Sequence, residues 1–126
     1  MDWKLELVAI PVSDVDRAKA FYTEKVGFAA DHDHTVSEDL RFVQLTPPGS
    51  ACSIAIGKGI VDSKPGSARG LQLVVSDINA AHAELVERGV EVSEVQELPG
   101  GSFVFFRDPD GNGWAVQQGS APSQDA

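Results

Sequence analysis

Two histidines, His32 and His34, are the residues of this sequence whose type and spacing most directly suggest chemistry. Side chains two positions apart on a β-strand point to the same face, so the two imidazoles are expected to lie side by side. Imidazole nitrogen is a common zinc ligand, but two nitrogens are too few for a closed zinc site. The neighbouring Asp31 and Asp33 are expected on the opposite face. We therefore interpret the pair as part of a solvated strand or hairpin.

The other reactive side chains form no pattern typical of a nucleophilic or acid–base site. The single cysteine, Cys52, falls in a predicted strand, where a free thiol behaves as a small hydrophobic group. His82 falls among charged residues of a predicted helix, and Glu38 and Asp39 fall in a polar turn. These three residues are interpreted as solvated surface, so the residues alone assign no catalytic group.

Composition and charge limit the class of protein and its partners. With 126 residues and 42% hydrophobic content, the chain is predicted to bury a core as one domain without disulfides or metals. The net charge of −9 would repel phosphate backbones, so nucleic acid is not an expected partner. The same charge either attracts a cationic small molecule or serves solubility.

Hydrophobicity along the chain predicts no membrane partner. No apolar run approaches the roughly 20 residues that span a bilayer, and the first residues lack a basic-then-apolar signal pattern. A single cysteine also fits a reducing compartment. We therefore expect a cytoplasmic protein.

An internal repeat organises the chain. Val12–Val15 reads VSDV and Val75–Ile78 reads VSDI, and an apolar stretch precedes each copy. This pattern is typical of a strand that leads into a capped helix. A second match follows, because Arg41–Leu45 and Ser102–Phe106 are both apolar stretches that precede a turn rich in proline and glycine.

Each half is therefore predicted to have the order strand, helix, strand, strand, strand. The first half has predicted strands at Leu5–Val12, from Phe28 onward, at Arg41–Leu45 and at Ala51–Gly57, with a helix through Ala18, Phe21 and Tyr22 that ends at Gly27. The second half has predicted strands at Leu71–Val75, Val90–Val95, Ser102–Phe106 and Gly113–Gln118, with a helix through Ala81, Leu85 and Val86 that ends at Gly89. We predict a single domain, residues 1–126, that consists of module one (about 4–57), a linker (58–68), module two (about 69–118) and a tail (119–126).

Two runs in these modules resemble the vicinal-oxygen-chelate superfamily, which includes glyoxalases, bleomycin-resistance proteins and extradiol dioxygenases. VSDVDRAKAFYTEKVGF at Val12–Phe28 is similar to the strand-to-helix signature that opens its modules, and FRDPDGNGWAVQQ at Phe106–Gln118 is similar to their closing hairpin. The resemblance covers Leu5–Gln118 and implies an α+β fold of two tandem βαβββ modules that form a curved mixed sheet around a cavity. The segment Asp108–Gly111, DPDG, is also good turn chemistry, so its role is interpreted as structural.

In metal-using members of the superfamily, the resemblance implies that the first and last strands of each module carry the ligands. The first-strand position falls on Leu7 in module one and on Gly70 in module two. The last-strand position falls on Ala115 in module two and on Ser53 in module one, or on Ile54 if the spacing shifts by one residue. A divalent metal needs about three oxygen, nitrogen or sulfur ligands. We therefore expect no metal and no cofactor.

The resemblance also places Phe105 and its counterpart Gln44 inward, and a period of two residues extends the inward faces along each strand. The predicted ligand-binding residues are Leu7, Phe42, Gln44, Ser53, Gln72, Phe103, Phe105, Ala115 and Gln117. Apolar and aromatic walls with three amides and one hydroxyl are typical of a small-molecule site. Alternatively, each glutamine bonds a neighbouring strand or faces water.

These observations favour a metal-free protein that binds an aromatic or cationic small molecule, as bleomycin-resistance proteins do. The alternative is an enzyme, a lyase, isomerase or dioxygenase-like catalyst that uses a divalent metal at other residues or metal-free pocket chemistry, and whether the chain is catalytic stays open. A protein-interaction module is a third possibility, which a large exposed hydrophobic patch would favour. The resemblance also implies a homodimer, since these sheets commonly complete their cavities by pairing two chains.

Overall fold

The computed structural model describes residues 1–119, and the remainder of the predicted tail lies outside the described part. The predicted order strand, helix, strand, strand, strand occurs in both modules. The first module contains β1 (Leu7–Ala9), α1 (Val15–Ala20), β2 (Ala29–Ser37), β3 (Leu40–Thr46) and β4 (Ser53–Lys58). The second module contains β5 (Leu71–Val75), α2 (Ile78–Glu87), β6 (Gln96–Leu98), β7 (Gly101–Arg107) and β8 (Gly113–Gly119).

The strands form two four-stranded mixed sheets, one from each module. The first sheet has the order β1-β4-β3-β2 and the second has the order β5-β8-β7-β6. In each sheet the first and last strands of the module pair in parallel, and the remaining pairs are antiparallel. The α+β fold class expected from the sequence is confirmed, with the predicted mixed sheet present as two separate sheets.

Both helices begin at the aspartates of the repeated motif. Asp14 Oδ1 accepts from the backbone N–H of Arg17 at 3.0 Å, and Asp77 Oδ1 accepts from those of Asn79 and Ala80 at 3.0 and 3.1 Å. These bonds satisfy N–H groups that the start of a helix leaves without partners. Among residues 1–119, no helix combines the length and the apolar character needed to cross a bilayer.

The first helix ends differently from the sequence prediction. After α1 the chain widens into a π-helical turn at Phe21–Lys25, in which the backbone N–H of Val26 donates to the carbonyl of Phe21 at 3.1 Å. Gly27 then reverses the chain at a φ of 88°, a conformation that glycine adopts without strain. The wider turn includes Tyr22, whose side chain is fully buried.

The sides of the two sheets that face the helices share one hydrophobic core. Four aromatic residues join the modules, two from module one (Tyr22 and Phe28) and two from module two (Phe106 and Trp114). The ring centroids of Tyr22 and Trp114 are 5.8 Å apart, and those of Phe28 and Trp114 are 5.7 Å apart. We call the opposite side of each sheet, which points away from this core, its outer face.

The strand predicted at Val90–Val95 is wrong. In the described residues this segment contributes an isolated bridge between Val92 and Phe106, and β6 begins only after it. Ser93 gives the physical reason, because its backbone N–H donates to the carbonyl of Phe105 while its hydroxyl accepts from the backbone N–H of Phe105, both at 2.9 Å. A side chain thus replaces the backbone carbonyl in the ladder, and regular pairing stops.

Other strand ends also differ from the prediction. The strand expected at Leu5–Val12 is only three residues long, and the strand expected from Ala51 begins at Ser53. At the other end β4 runs into the predicted linker, because Lys58 pairs with Arg41 of β3.

Candidate functional site

The nine predicted ligand-binding residues lie in two groups, one on each sheet. The first group is Leu7, Phe42, Gln44 and Ser53, and the second group is Gln72, Phe103, Phe105, Ala115 and Gln117. Eight of them alternate with core residues along their strands, and Leu7 pairs with Ser53, so all nine belong to the outer faces. Within residues 1–119, no hydrogen bond or aromatic pair joins one group to the other. Their participation in one cavity stays a prediction.

A chain of hydrogen bonds crosses the outer face of the first sheet. The side-chain amide of Gln44 donates to Ser53 Oγ at 3.2 Å, and the hydroxyls of Ser53 and Thr46 are 2.7 Å apart. The hydroxyl of Thr46 donates in turn to the carboxylate of Asp31. Two of the predicted residues, Gln44 and Ser53, are therefore linked through Thr46 to a negative charge that the sequence did not place there.

The structure corrects the expectation that Asp31 lies on the face opposite the two histidines. The pairing of β2 with β3 shifts register between Ala30 and His32, and the extra residue in this β-bulge is Asp31. A bulge breaks the two-residue alternation of side chains. The side chain of Asp31 consequently reaches Thr46 on the outer face.

Asp33, in contrast, lies on the helix-facing side as expected. Its carboxylate accepts from Arg41 at 2.8 and 3.0 Å and from Lys19 of α1 at 2.8 Å. The Arg41 guanidinium, and after it the Lys19 ammonium, holds the pKa of the Asp33 carboxyl well below its ordinary value. This network ties β2 and β3 to the first helix.

His32 and His34 lie on the outer face of the first sheet. In the β2–β3 register His32 is opposite Gln44 and His34 is opposite Phe42, so each histidine neighbours a predicted ligand-binding residue. The two rings stack with their centroids 5.8 Å apart. Sequence reasoning recognised that they share a face but missed that Gln44 and Phe42 share it too, because the register of the hairpin was unknown.

The outer face of the second sheet combines aromatic rings with linked amides. Phe103 and Phe105 stack almost in parallel, with ring centroids 6.0 Å apart and planes 4° apart. The side chain of Gln72 donates to Gln117 Oε1 at 2.5 Å, and that of Gln117 donates to the carbonyl of Gly100 at 2.7 Å. This face is open in the isolated chain, since Phe105 is 37% exposed.

A cavity of about 1050 Å³ involves the second sheet. Three of the predicted ligand-binding residues line it, namely Gln72, Phe105 and Ala115. Module one contributes Phe21 and Lys25 from the end of its first helix to the lining. The cavity therefore brings together part of the second group and none of the first.

The residues at the metal positions implied by the superfamily do not fit a divalent metal. Strand pairing sets Gln72 opposite Ala115 in the second sheet and Ala9 opposite Ala55 in the first. The module-one counterpart of Ala115 is therefore Ala55, which corrects the assignment to Ser53, because the turn glycines lie at different distances from their strands. Methyl groups offer no donor atom, and residues 1–119 contain no group of three His, Cys, Asp or Glu side chains placed to hold a metal.

The DPDG turn, predicted to be structural, carries a buried polar network between the modules. The Tyr22 hydroxyl donates to Asp108 Oδ2 at 2.7 Å and accepts from Trp114 Nε1 at 2.9 Å. Asn112 Nδ2 donates to Asp108 Oδ2 at 2.8 Å and to the carbonyl of Pro11 at 2.9 Å. Burial, and then the charge of Asp108, raises the pKa of the Tyr22 hydroxyl far above its ordinary value. Every polar group of this network is bonded, as buried polar groups require.

Comparison with known proteins identifies relatives of this chain along almost its whole length. The model of the Glyoxalase/Bleomycin resistance protein/Dioxygenase superfamily matches residues 4–116. The uncharacterized protein YetH of Bacillus subtilis (strain 168) is 29% identical over 113 residues, which cover 88% of this chain and 94% of that protein.

Solved structures show the same fold at moderate sequence identity. TnmS3, an antibiotic binding protein from Streptomyces sp. CB03234, is 38% identical with a TM-score of 0.86, and the match covers 94% of this chain and 98% of TnmS3. A member of the Glyoxalase/bleomycin resistance protein/dioxygenase superfamily from Sphaerobacter thermophilus DSM 20745 is 32% identical with a TM-score of 0.81, and the match covers 93% of this chain and 98% of that one.

Proposed function

This chain belongs to the Glyoxalase/Bleomycin resistance protein/Dioxygenase superfamily, and from this membership we propose that it binds a small aromatic or cationic organic molecule without a metal. The observation that carries the proposal is the outer face of the second sheet, where the stacked Phe103 and Phe105 lie beside the linked amides of Gln72 and Gln117. Exposed aromatic rings with a few oriented polar groups are typical of ligand sites. The similarity to TnmS3, an antibiotic binding protein, supports a ligand of this kind.

The charge of the chain supports the cationic part of the proposal. The net charge is −9, and Asp31 adds a carboxylate to the outer face of the first sheet. A negatively charged protein attracts cations at long range and raises their local concentration. The cytoplasmic location expected from the hydrophobicity pattern and the single Cys52 stays a prediction.

We further propose that the protein is a homodimer in which the outer faces of the two chains cover each other. Val74 is 73% exposed on the outer face of β5, and Leu5, which precedes β1, is 71% exposed. Apolar groups of this size lose unfavourable contact with water when a second surface covers them. Closure of the outer faces against each other would also bring the two groups of predicted residues into one cavity.

Sedimentation of two matched variants tests the dimer. Val74→Glu places a charge on the proposed interface and should yield monomers at micromolar concentration, because an unpaired charge is costly to bury. Val86→Glu makes the same change on α2, where valine is 53% exposed outside the proposed interface, and should remain dimeric. A monomeric wild-type protein would contradict the proposal.

Calorimetric titration tests ligand binding. Bleomycin represents large ligands, ethidium represents planar cations, and acridine represents planar neutral molecules. At least one should bind, and Phe105→Ala should weaken that binding by about tenfold, since a central aromatic contact is typically worth more than 1 kcal/mol. The control Val86→Ala should bind like the wild type. Failure of all three compounds at high micromolar concentration would count against the proposal.

The enzymatic alternative has two routes, a divalent metal bound outside the superfamily positions or metal-free pocket chemistry. Elemental analysis of protein purified without chelator tests the first route. A stoichiometric divalent ion would favour the metalloenzyme, because such an ion polarises bound substrates. Among residues 1–119, no three His, Cys, Asp or Glu side chains are grouped to support the metal route.

A further inference from the structure

On the second sheet, the bond from Gln117 to the carbonyl of Gly100 determines which group donates in each hydrogen bond of the chain. The carbonyl of Gly100 can only accept, so the nitrogen of the Gln117 amide must face it. The oxygen of that amide then faces Gln72, which must present its own nitrogen to complete the 2.5 Å bond. The orientation of both amides is thereby set without reference to hydrogen positions.

This chain of hydrogen bonds gives the side-chain oxygen of Gln72 no donor. Within the described residues 1–119, no donor bonds Gln72 Oε1. Gln72 is exposed and lines the cavity of the second sheet, so a bound molecule can approach its side chain. A carbonyl oxygen without a partner requires a donor when a ligand displaces its water.

The first sheet repeats this arrangement. The carboxylate of Asp31 accepts from Thr46, so the hydroxyl of Ser53 must donate to Thr46 and accept from the nitrogen of Gln44. Both hydroxyl protons are used within the protein. The oxygen of Gln44 is left over, and among residues 1–119 it has no hydrogen-bond partner.

Strand pairing places an aromatic surface opposite the free oxygen of the second sheet. Ala115 of the central strand β8 pairs with Phe105 on one side and with Gln72 on the other. Two strand spacings of about 4.8 Å separate Phe105 from Gln72, and the methyl group of Ala115 is the floor between them. A flat aromatic ring over Ala115 would therefore contact the Phe105 side chain and direct its edge at Gln72.

Each of the three cations that line the same cavity bonds a backbone carbonyl. Arg69 Nη1 donates to the carbonyls of Gly66 and Ala68 at 2.6 and 2.8 Å, and Arg107 Nη1 donates to that of Gly111 at 3.3 Å. Lys25 Nζ donates to the carbonyl of Arg88 at 3.4 Å. Each positive group thus already has a partner within the protein.

We infer that the site selects aromatic ligands that carry a hydrogen-bond donor, a hydroxyl, amino or ammonium group, at the edge that meets Gln72. This inference rests on the proposed function and narrows its substrate class. An aromatic ligand that carries only acceptors would place its oxygen against the oxygen of Gln72. Neither oxygen would then have a hydrogen-bond donor, which costs binding energy.

Three probes that share one ring system test the inference by calorimetric titration of the full chain. 2-Naphthol carries a donor, 2-methoxynaphthalene replaces that proton by a methyl group, and 2-naphthoate is an anionic acceptor. We expect 2-naphthol to bind about fivefold or more tightly than either of the others, as one added neutral hydrogen bond implies. Gln72→Met keeps the shape and removes the oxygen, and Gln117→Met removes the acceptor that loss of the Gln72 amide would leave free. The double variant should bring naphthol and methoxynaphthalene to within about twofold.

The control variant is Asn79→Met, which removes an exposed side-chain amide from α2, outside the cavity, and should keep the preference for naphthol. Equal binding of all three probes would overturn the inference and leave the proposed function intact. Tightest binding of 2-naphthoate, or a naphthol preference that survives the double variant, would also overturn it. Absence of binding by all three would overturn the inference, whereas the titrations of bleomycin, ethidium and acridine decide the proposed function.

Discussion

Replacement of Tyr22 by phenylalanine removes one buried oxygen from the network that joins the modules. Asp108 keeps three donors, because Asn112 Nδ2 and the backbone N–H groups of Asp110 and Asn112 remain within 3.0 Å. Trp114 Nε1, which is bonded to the Tyr22 hydroxyl, loses that acceptor. A hydrogen bond to a charged group contributes about 1.5–3 kcal/mol, and an unpaired buried N–H costs about 1–3 kcal/mol.

Because Asp108 stays largely bonded, we expect Tyr22→Phe to lower the free energy of unfolding by about 3 kcal/mol. For a chain of this size that loss corresponds to a decrease in Tm of about 10 °C. Urea unfolding followed by circular dichroism measures it. Thr23→Val is the matched control; it removes a hydroxyl whose one bond within residues 1–119 is to the carbonyl of Lys19, and it should cost less than about 1 kcal/mol. A loss for Tyr22→Phe no larger than that of the control would refute the assigned role of the network.

The stability difference between the wild type and Tyr22→Phe should depend on pH above about pH 10. Folding raises the pKa of Tyr22 above its unfolded value of about 10, so the stabilising effect is complete below that pH and decreases as pH rises further. Relative to Tyr22→Phe, the wild type should lose about 1.4 kcal/mol of stability per pH unit above about pH 10. Since the chain has one tyrosine, tyrosinate absorbance reports on this residue alone, and it should appear only on unfolding. Tyrosinate in the folded protein near pH 10 would contradict the buried bond to Asp108.

Two further predictions concern the scaffold. Folding lowers the pKa of Asp33 through Arg41, so the stabilising effect of this carboxylate is complete above its unfolded pKa and is lost as pH falls. The difference in free energy of unfolding between wild type and Asp33→Asn, measured with urea, should therefore decrease from about pH 7 to about pH 3. A constant difference would contradict the ion pair. Gly66→Ala should destabilise by more than about 2 kcal/mol, because an added Cβ would lie 2.1 Å from the carbonyl oxygen of Asp110 at a φ of 82°. Gly49→Ala has a similar φ of 79° and nothing within 4 Å, so it should cost only about 1–2 kcal/mol, and equal losses would exclude the clash.

The order of elements was predictable because local signals specify it. Asp14 and Asp77 cap the helices at the expected positions, and Gly27 and Gly89 have positive φ angles after the first and second helical segments. These signals depend on neighbours in the sequence alone. Strand ends were less predictable, as at Ser93, whose hydroxyl interrupts a ladder that its apolar neighbours favour.

The sheet face on which most candidate site residues lie was predictable, but the contacts between side chains of different strands were not. Alternation along a strand is sufficient to put Phe103 with Phe105 on one side. The bulge that turns Asp31 toward Thr46, and the register that sets His32 opposite Gln44, depend on pairing with another strand. A single sequence carries no direct record of that pairing.

Calorimetric titration of bleomycin, ethidium and acridine before and after treatment of the protein with a chelator tests the metal-free binding proposal most directly. Methyl groups at Ala55 and Ala115 cannot hold an ion, so the affinity for whichever compound binds should be the same in both preparations. Binding that disappears with the chelator and returns with an added divalent metal would contradict the account.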